Sequence, residues 1–104
     1  MLAVVLASVA ATTSVGVAER EWRISAYRAT VAHGRVSFNV HNFGEDAHDL
    51  RVTGPGGYRA TSAEVEPGEN VRLLVHLNRP GRYRLLCTLP GHAAKGMRAA
   101  ITVR

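Results

Sequence analysis

Cys87-Thr88-Leu89-Pro90-Gly91-His92-Ala93-Ala94-Lys95-Gly96-Met97 gathers the only cysteine of the chain, one of its five histidines and one of its two methionines into one short segment. The spacing is Cys-x4-His-x4-Met. A soft thiolate, an imidazole and a thioether on one loop suit copper better than other biological metals. Such a centre normally has a second histidine, which must come from elsewhere in the chain.

Outward from this loop the pattern has period two on both sides, the mark of half-buried strands. Upstream, Cys87 shares parity with Tyr83 and Leu85; downstream, Met97 is in phase with Ala99, Ile101 and Val103. Further upstream, Val71, Leu73, Val75 and Leu77 alternate with Arg72, Leu74, His76 and Asn78. Val36, Phe38 and Val40 alternate with polar neighbours, and so do Trp22, Ile24 and Ala26. His48, Leu50 and Val52 make one more inward set. Gly54-Pro55-Gly56-Gly57, Pro67-Gly68 and Arg79-Pro80-Gly81 punctuate these runs as turns, while residues 58–66 give only a weak signal. About seven short strands with regular turn signals predict an all-β Greek-key sandwich.

Phase also sorts the histidines. His48 lies in step with a buried face at the start of its strand, where it can meet Cys87 and Met97 at one pole of the sandwich. His41 and His76 are out of phase with their apolar neighbours and should face solvent, and His33 sits in a turn beside Gly34. The candidate set is therefore His48, Cys87, His92 and Met97.

At 104 residues the chain is a single small domain, 46% hydrophobic and 20% charged. Twelve arginines and one lysine against eight carboxylates give a net charge of +5. That balance fits an acidic protein partner or an anionic membrane. Nucleic acid fits poorly, since the arginines are scattered singly, with no basic run and no interleaved aromatics. Residues 1–18 carry no charged side chain and read as the hydrophobic part of an export signal, with small residues for cleavage after Ala10 or Ala18, or as an N-terminal anchor. Residues 19–104 are then the folded domain, in a periplasmic or other extracytoplasmic compartment. A lone cysteine forms no intramolecular disulfide, and metal ligation accounts for a free thiol there.

Asn42-Phe43-Gly44-Glu45-Asp46-Ala47-His48-Asp49-Leu50, Pro67-Gly68-Glu69, Pro80-Gly81-Arg82-Tyr83 and the Cys87–Met97 segment occur in that order. Together they resemble the cupredoxins, the small blue copper proteins, over residues 20–104. The resemblance implies one type 1 copper held by His48, Cys87 and His92, with Met97 as a weak axial ligand. It implies supporting roles for Asn42, Asp49 and Thr88, with Asp49 in a position where asparagine is commoner. It implies an electron carrier with no substrate of its own: redox protein partners, acidic or membrane-bound, would dock on a monomer at Leu89, Pro90, Gly91, Ala93 and Lys95 around the edge of His92. Phe43 would extend that patch.

Other readings account for less. A copper delivery or storage module would favour methionine-rich or histidine-rich tracts, which the chain lacks. An accessory domain of a copper oxidase or reductase needs further clustered histidines, and His33, His41 and His76 form no such cluster. A binuclear copper site requires a second cysteine. A Cys87–His92 nucleophile and base pair leaves His48 and Met97 unexplained. Structural zinc is disfavoured by the methionine and by the absence of Cys-x2-Cys.

Overall fold

Alternation of apolar and polar residues builds the first sheet of the structure, a computed structural model that describes residues 11–104. Its strands are β1 (Thr12–Arg20), β2 (Arg23–Ala26), β4 (Gly34–Asn42) and β7 (Asn70–Leu77), with β3 (Thr30–Val31) going to the other sheet. The spatial order is β2-β1-β4-β7, with β1 antiparallel to β2 and parallel to β4. Val36, Phe38 and Val40 of β4 lie opposite Val75, Leu73 and Val71 of β7, so the expected inward sets meet on one face.

The second sheet runs β3-β9-β8-β5-β6, where β5 is Arg51–Gly54, β6 is Tyr58–Thr61, β8 is Gly81–Leu86 and β9 is Arg98–Val103. Its inner face supplies Val52, Tyr83, Leu85, Ile101 and Val103, all buried against Val15, Val17, Val36 and Phe38 of the first sheet. Two apolar faces closing on one core make a β-sandwich. The fold is the expected one, with nine strands among the described residues where the sequence pattern predicts about seven. The short β3 and the weak segment containing β6 carry too few alternations to be counted.

The sequence expectation also lacks β1, a strand that begins N-terminal to the boundary expected at residue 18. Thr12–Glu19 pair in unbroken register with β4, and Val15, Val17 and Ala18 are buried. Thr12–Ala18 therefore belong to the sandwich. Lack of charge over residues 1–18 masked the alternation of Val15 and Val17 with Ser14 and Gly16, which is that of a strand buried between two neighbours. The remaining part of the export-signal or anchor reading, residues 1–10, lies outside the described residues. Among those described, no helix is long and apolar enough to cross a membrane.

Candidate metal centre

Cys87 follows the last residue of β8 and Met97 precedes the first of β9, so the antiparallel pair brings the two ends of the loop together. The Cys87 N–H donates to the Met97 carbonyl at 3.2 Å. Between them the chain is wound tightly: the His92 N–H donates to Leu89, the Lys95 N–H to Gly91 and the Met97 N–H back to His92. Gly96, at φ 128°, lies against the Trp22 carbonyl, where a Cβ would come to 2.9 Å. Glycine is needed there on both counts.

His48 reaches the same point from the segment before β5, the neighbour of β8 in the same sheet. It precedes β5 instead of opening it, and is pinned by a two-bond bridge to Val65, 3.1 Å and 2.7 Å. Buried Asn42 secures this bridge: its amide donates to the carbonyls of Val65 and Asp46, at 2.9 Å and 2.7 Å, and its side-chain oxygen accepts from Gly44 N–H at 2.8 Å. The histidine is fully buried, as strand phase predicts.

His48 Nδ1, His92 Nδ1 and Cys87 Sγ form a triangle with edges of 3.2, 3.5 and 4.0 Å. A point equidistant from the three lies about 2.1 Å from each, close to the bond length of a transition metal to nitrogen or sulfur. These are the residues among those described that are grouped to hold a metal ion. Met97 is buried at the base of the loop, one hydrogen bond from Cys87 and one from His92.

Burial, reinforced by the carboxyls of Asp49 and Glu19, raises the Cys87 thiol above its ordinary pKa, against the lowering effect of the Asp49 and Leu89 N–H groups. A bare thiolate is thus disfavoured in this place, and a bound cation would stabilise it. The donor set fits copper: two imidazoles, one thiolate and a nearby thioether in a buried, pre-shaped site.

Asp49 and Thr88, to which the resemblance gives supporting roles, meet directly. Asp49 accepts the Thr88 N–H at 2.7 Å and also the Thr88 hydroxyl. An aspartate thus ties the His48 segment to the Cys87 segment through two bonds from one residue. Around His92, Leu89 and Ala93 are half-buried while Pro90, Gly91 and Lys95 are exposed. Phe43 is exposed too, but packs on His41 at 4.1 Å and under the Arg20 guanidinium. His76 is exposed as expected and His33 is exposed in its turn; His41, expected to face solvent, is half-buried and hydrogen-bonded to Asn70 at 2.6 Å.

Three residues at the site were not anticipated. The Glu21 carboxylate accepts the His48 Nε2–H at 2.9 Å, as well as the N–H groups of Glu45 and Asp46. Trp22 meets His92 edge to face at 4.8 Å, with the Lys95 ammonium 4.2 Å above the indole. Glu19 is fully buried with both side-chain oxygens unpartnered, its pKa raised to about 8 by burial and then by Asp49. A polar residue directly before the expected Trp22–Ala26 strand was the only signal for Glu21, and that pattern is common in any turn.

Comparison with known proteins agrees with this geometry. Residues 11–104 match the family of copper binding proteins described as the plastocyanin/azurin family. Among solved structures the chain is similar to dithionite-reduced auracyanin of Roseiflexus castenholzii, with 22% identity over 91% of this chain and 99% of that one and a TM-score of 0.78. It is similar also to auracyanin A, a blue copper protein of Chloroflexus aurantiacus, with 17% identity over 90% and 100% of the two chains and a TM-score of 0.72. A copper-containing nitrite reductase of Thermus scotoductus shares the fold at 14% identity and a TM-score of 0.68, over 88% of this chain and 31% of the enzyme. No curated protein sequence matches. The chain belongs to the copper-binding proteins of the plastocyanin/azurin family, and its metal is copper.

Proposed function

We propose that this protein is an electron carrier whose single type 1 copper would be held by His48, Cys87 and His92, with the Met97 thioether as a further, weaker ligand. The observation that carries the reading is the buried triangle of two Nδ1 atoms and one Sγ. Copper bound there supplies a one-electron Cu(II)/Cu(I) couple.

The residues do the rest by holding still. Strands β8 and β9, the Val65 bridge and the Asp49–Thr88 pair fix the ligands on separate elements that are tied to one another. A stiff cage changes little between oxidation states, so little reorganisation opposes electron transfer. His48 and Cys87 are closed off from water, while His92 is half-buried and flanked by Leu89, Pro90, Gly91 and Ala93 in sequence. A redox partner touching Leu89, Pro90, Gly91 and Ala93 would meet the ligand set there, through a small interface suited to brief encounters.

In this reading the protein acts on no substrate, works as a monomer outside the cytoplasm, and meets redox proteins that are acidic or membrane-bound. Of the two cleavage points for an export signal, the one after Ala10 leaves the sandwich whole. Titration with Cu(II) should give intense blue thiolate-to-copper absorption that saturates at one copper per chain. A colourless or green product would overturn the type 1 assignment. Loss of bound copper to a small chelator in both oxidation states, without reversible electron exchange at an electrode, would favour copper delivery instead.

A further inference from the structure

Strand phase divides the five-stranded sheet into two chemically distinct faces. Val52, Tyr83, Leu85, Ile101 and Val103 point into the core. The intervening positions point outward, and they carry Arg51, Arg59, Arg82, Arg84 and Arg98, among threonines, an alanine and Leu86. Arg59, Arg82, Arg84 and Arg98 are exposed. Register places them side by side: Arg51 opposite Leu86, itself opposite Arg98, and Arg59 opposite Thr53, itself opposite Arg84.

No carboxylate lies on this face. The eight acidic residues are Glu19 in β1, Glu21 after it, Glu45, Asp46 and Asp49 before β5, and Glu64, Glu66 and Glu69 before β7. Among the described residues no arginine lies within ion-pair distance of a carboxylate. The face is thus an uncompensated array of guanidinium groups.

It is also not flat. Arg82, Arg84 and Arg98 line a groove of about 580 Å³ with Ala93, Ala94 and Ala100. Ala93 and Ala94 follow His92 directly, so the groove begins at the copper loop and runs down the outside of β8 and β9. Small alanines leave space for a protruding side chain, and guanidinium forks match carboxylates in two-bond geometry.

We propose that this groove is the docking site for an acidic redox protein, which seats a carboxylate-bearing segment along Arg82, Arg84 and Arg98 and so brings its own redox centre over the edge of His92. The proposal rests on the electron-carrier reading and adds to it the surface and the chemistry of the partner. A membrane is the poorer occupant: a planar headgroup layer does not enter a groove, and Leu86, the one large aliphatic residue on this face, is half-buried between Arg51 and Arg98. Nucleic acid is poorer still, because no exposed aromatic here offers a platform for a base. Opposite charges at the rim of the interface raise the association rate and make it fall with salt.

The test uses the copper-loaded protein, reduced to the diamagnetic state and labelled for amide NMR, with a synthetic poly-glutamate peptide as the probe at low ionic strength. Amide shifts should concentrate on β8, β9 and Ala93–Ala94. Arg82→Gln, Arg84→Gln and Arg98→Gln should each weaken binding about two- to five-fold, and the triple variant by roughly tenfold or more. Arg28→Gln, in an exposed turn outside this face, should leave it unchanged. Shifts spread evenly over every arginine, or equal affinity in the triple variant, would overturn the proposal. So would binding of phosphatidylserine vesicles or single-stranded DNA on this face with no binding of the peptide. The amide spectrum of each variant reports its fold directly. The carrier reading fails separately, through the copper absorption spectrum, since a mapped groove on a protein that takes no blue copper would leave docking standing alone.

Discussion

The Glu21 carboxylate accepts the Nε2–H of His48 at 2.9 Å and is itself gripped by the N–H groups of Glu45 and Asp46, the latter at 2.7 Å. This fixes which nitrogen of His48 carries the proton and leaves the Nδ1 lone pair directed at Cys87 and His92. Burial acts to raise the Glu21 pKa, but the backbone donors and His48 together outweigh it and hold the group down to about 2. The carboxylate is therefore charged whenever the site is in use, and it adds negative charge to the outer side of a copper ligand.

Glu21→Gln tests that charge while keeping an oxygen to accept from His48. Copper affinity should fall by about 10–100-fold, and the reduction potential should rise, because a lost negative charge favours the less positive oxidation state. Chelator competition and voltammetry measure the two effects. Gly44→Ala should act in the same direction without removing charge, since its Cβ would lie 2.5 Å from both Glu21 oxygens and push the carboxylate off His48. An unchanged potential in both variants would mean that Glu21 only braces the loop.

Glu19 makes stability depend on pH with a definite sign. Its folded pKa, about 8, lies above the value of 4.5 for the free group, so the folded state binds the extra proton. That contribution is complete below pH 4.5 and is lost as pH rises through 8, at up to about 1.4 kcal/mol per pH unit within the window. Urea unfolding of the copper-free chain should therefore show stability falling from mildly acidic to mildly alkaline pH. Glu19→Gln should flatten the slope and stabilise the protein above pH 8. An unaltered slope would place the linkage on another group.

The comparison of pattern with structure separates what a sequence exposes from what it hides. Period-two alternation made the sandwich legible, and it chose His48 over His41 and His76 because inward phase is a property of neighbouring residues. The Cys87–Met97 loop was legible because its chemistry is concentrated in one segment. Glu21 and Trp22 were not, because they stand far from their partners in sequence and meet His48 and His92 only when β1 and β2 are in place. β1 was hidden for a related reason: a strand buried between two others need not carry the charged residues that mark an exposed face, and so resembles a leader.

Ligand substitutions should split the histidines by role. Cys87→Ser should abolish the blue absorption, and His48→Ala should lose it or replace it with a weaker, shifted band. His76→Ala, exposed on β7, should leave the spectrum as it is. Met97→Gln should keep copper but lower the reduction potential, because a harder oxygen ligand favours the oxidised metal. Loss of colour in the His76 variant, or an unchanged potential in the Met97 variant, would contradict the ligand set.

Removal of residues 1–18 should abolish folding. The cut deletes Thr12–Ala18 from β1, which lies between β2 and β4 and pairs with both. It exposes the core faces of Val36, Phe38 and Val40 that Val15 and Val17 help to cover. Complete burial of each valine contributes about 1.5–3 kcal/mol, and the unpaired edge of β4 would be left open to association with other chains. Against a total stability of about 5–15 kcal/mol for a domain of this size, the loss is too large for the native state to persist. Far-ultraviolet circular dichroism and size-exclusion chromatography should show an unfolded or aggregated product. A chain lacking residues 1–18 that stays monomeric, melts cooperatively and turns blue with copper would show that β1 is dispensable and restore the boundary after Ala18.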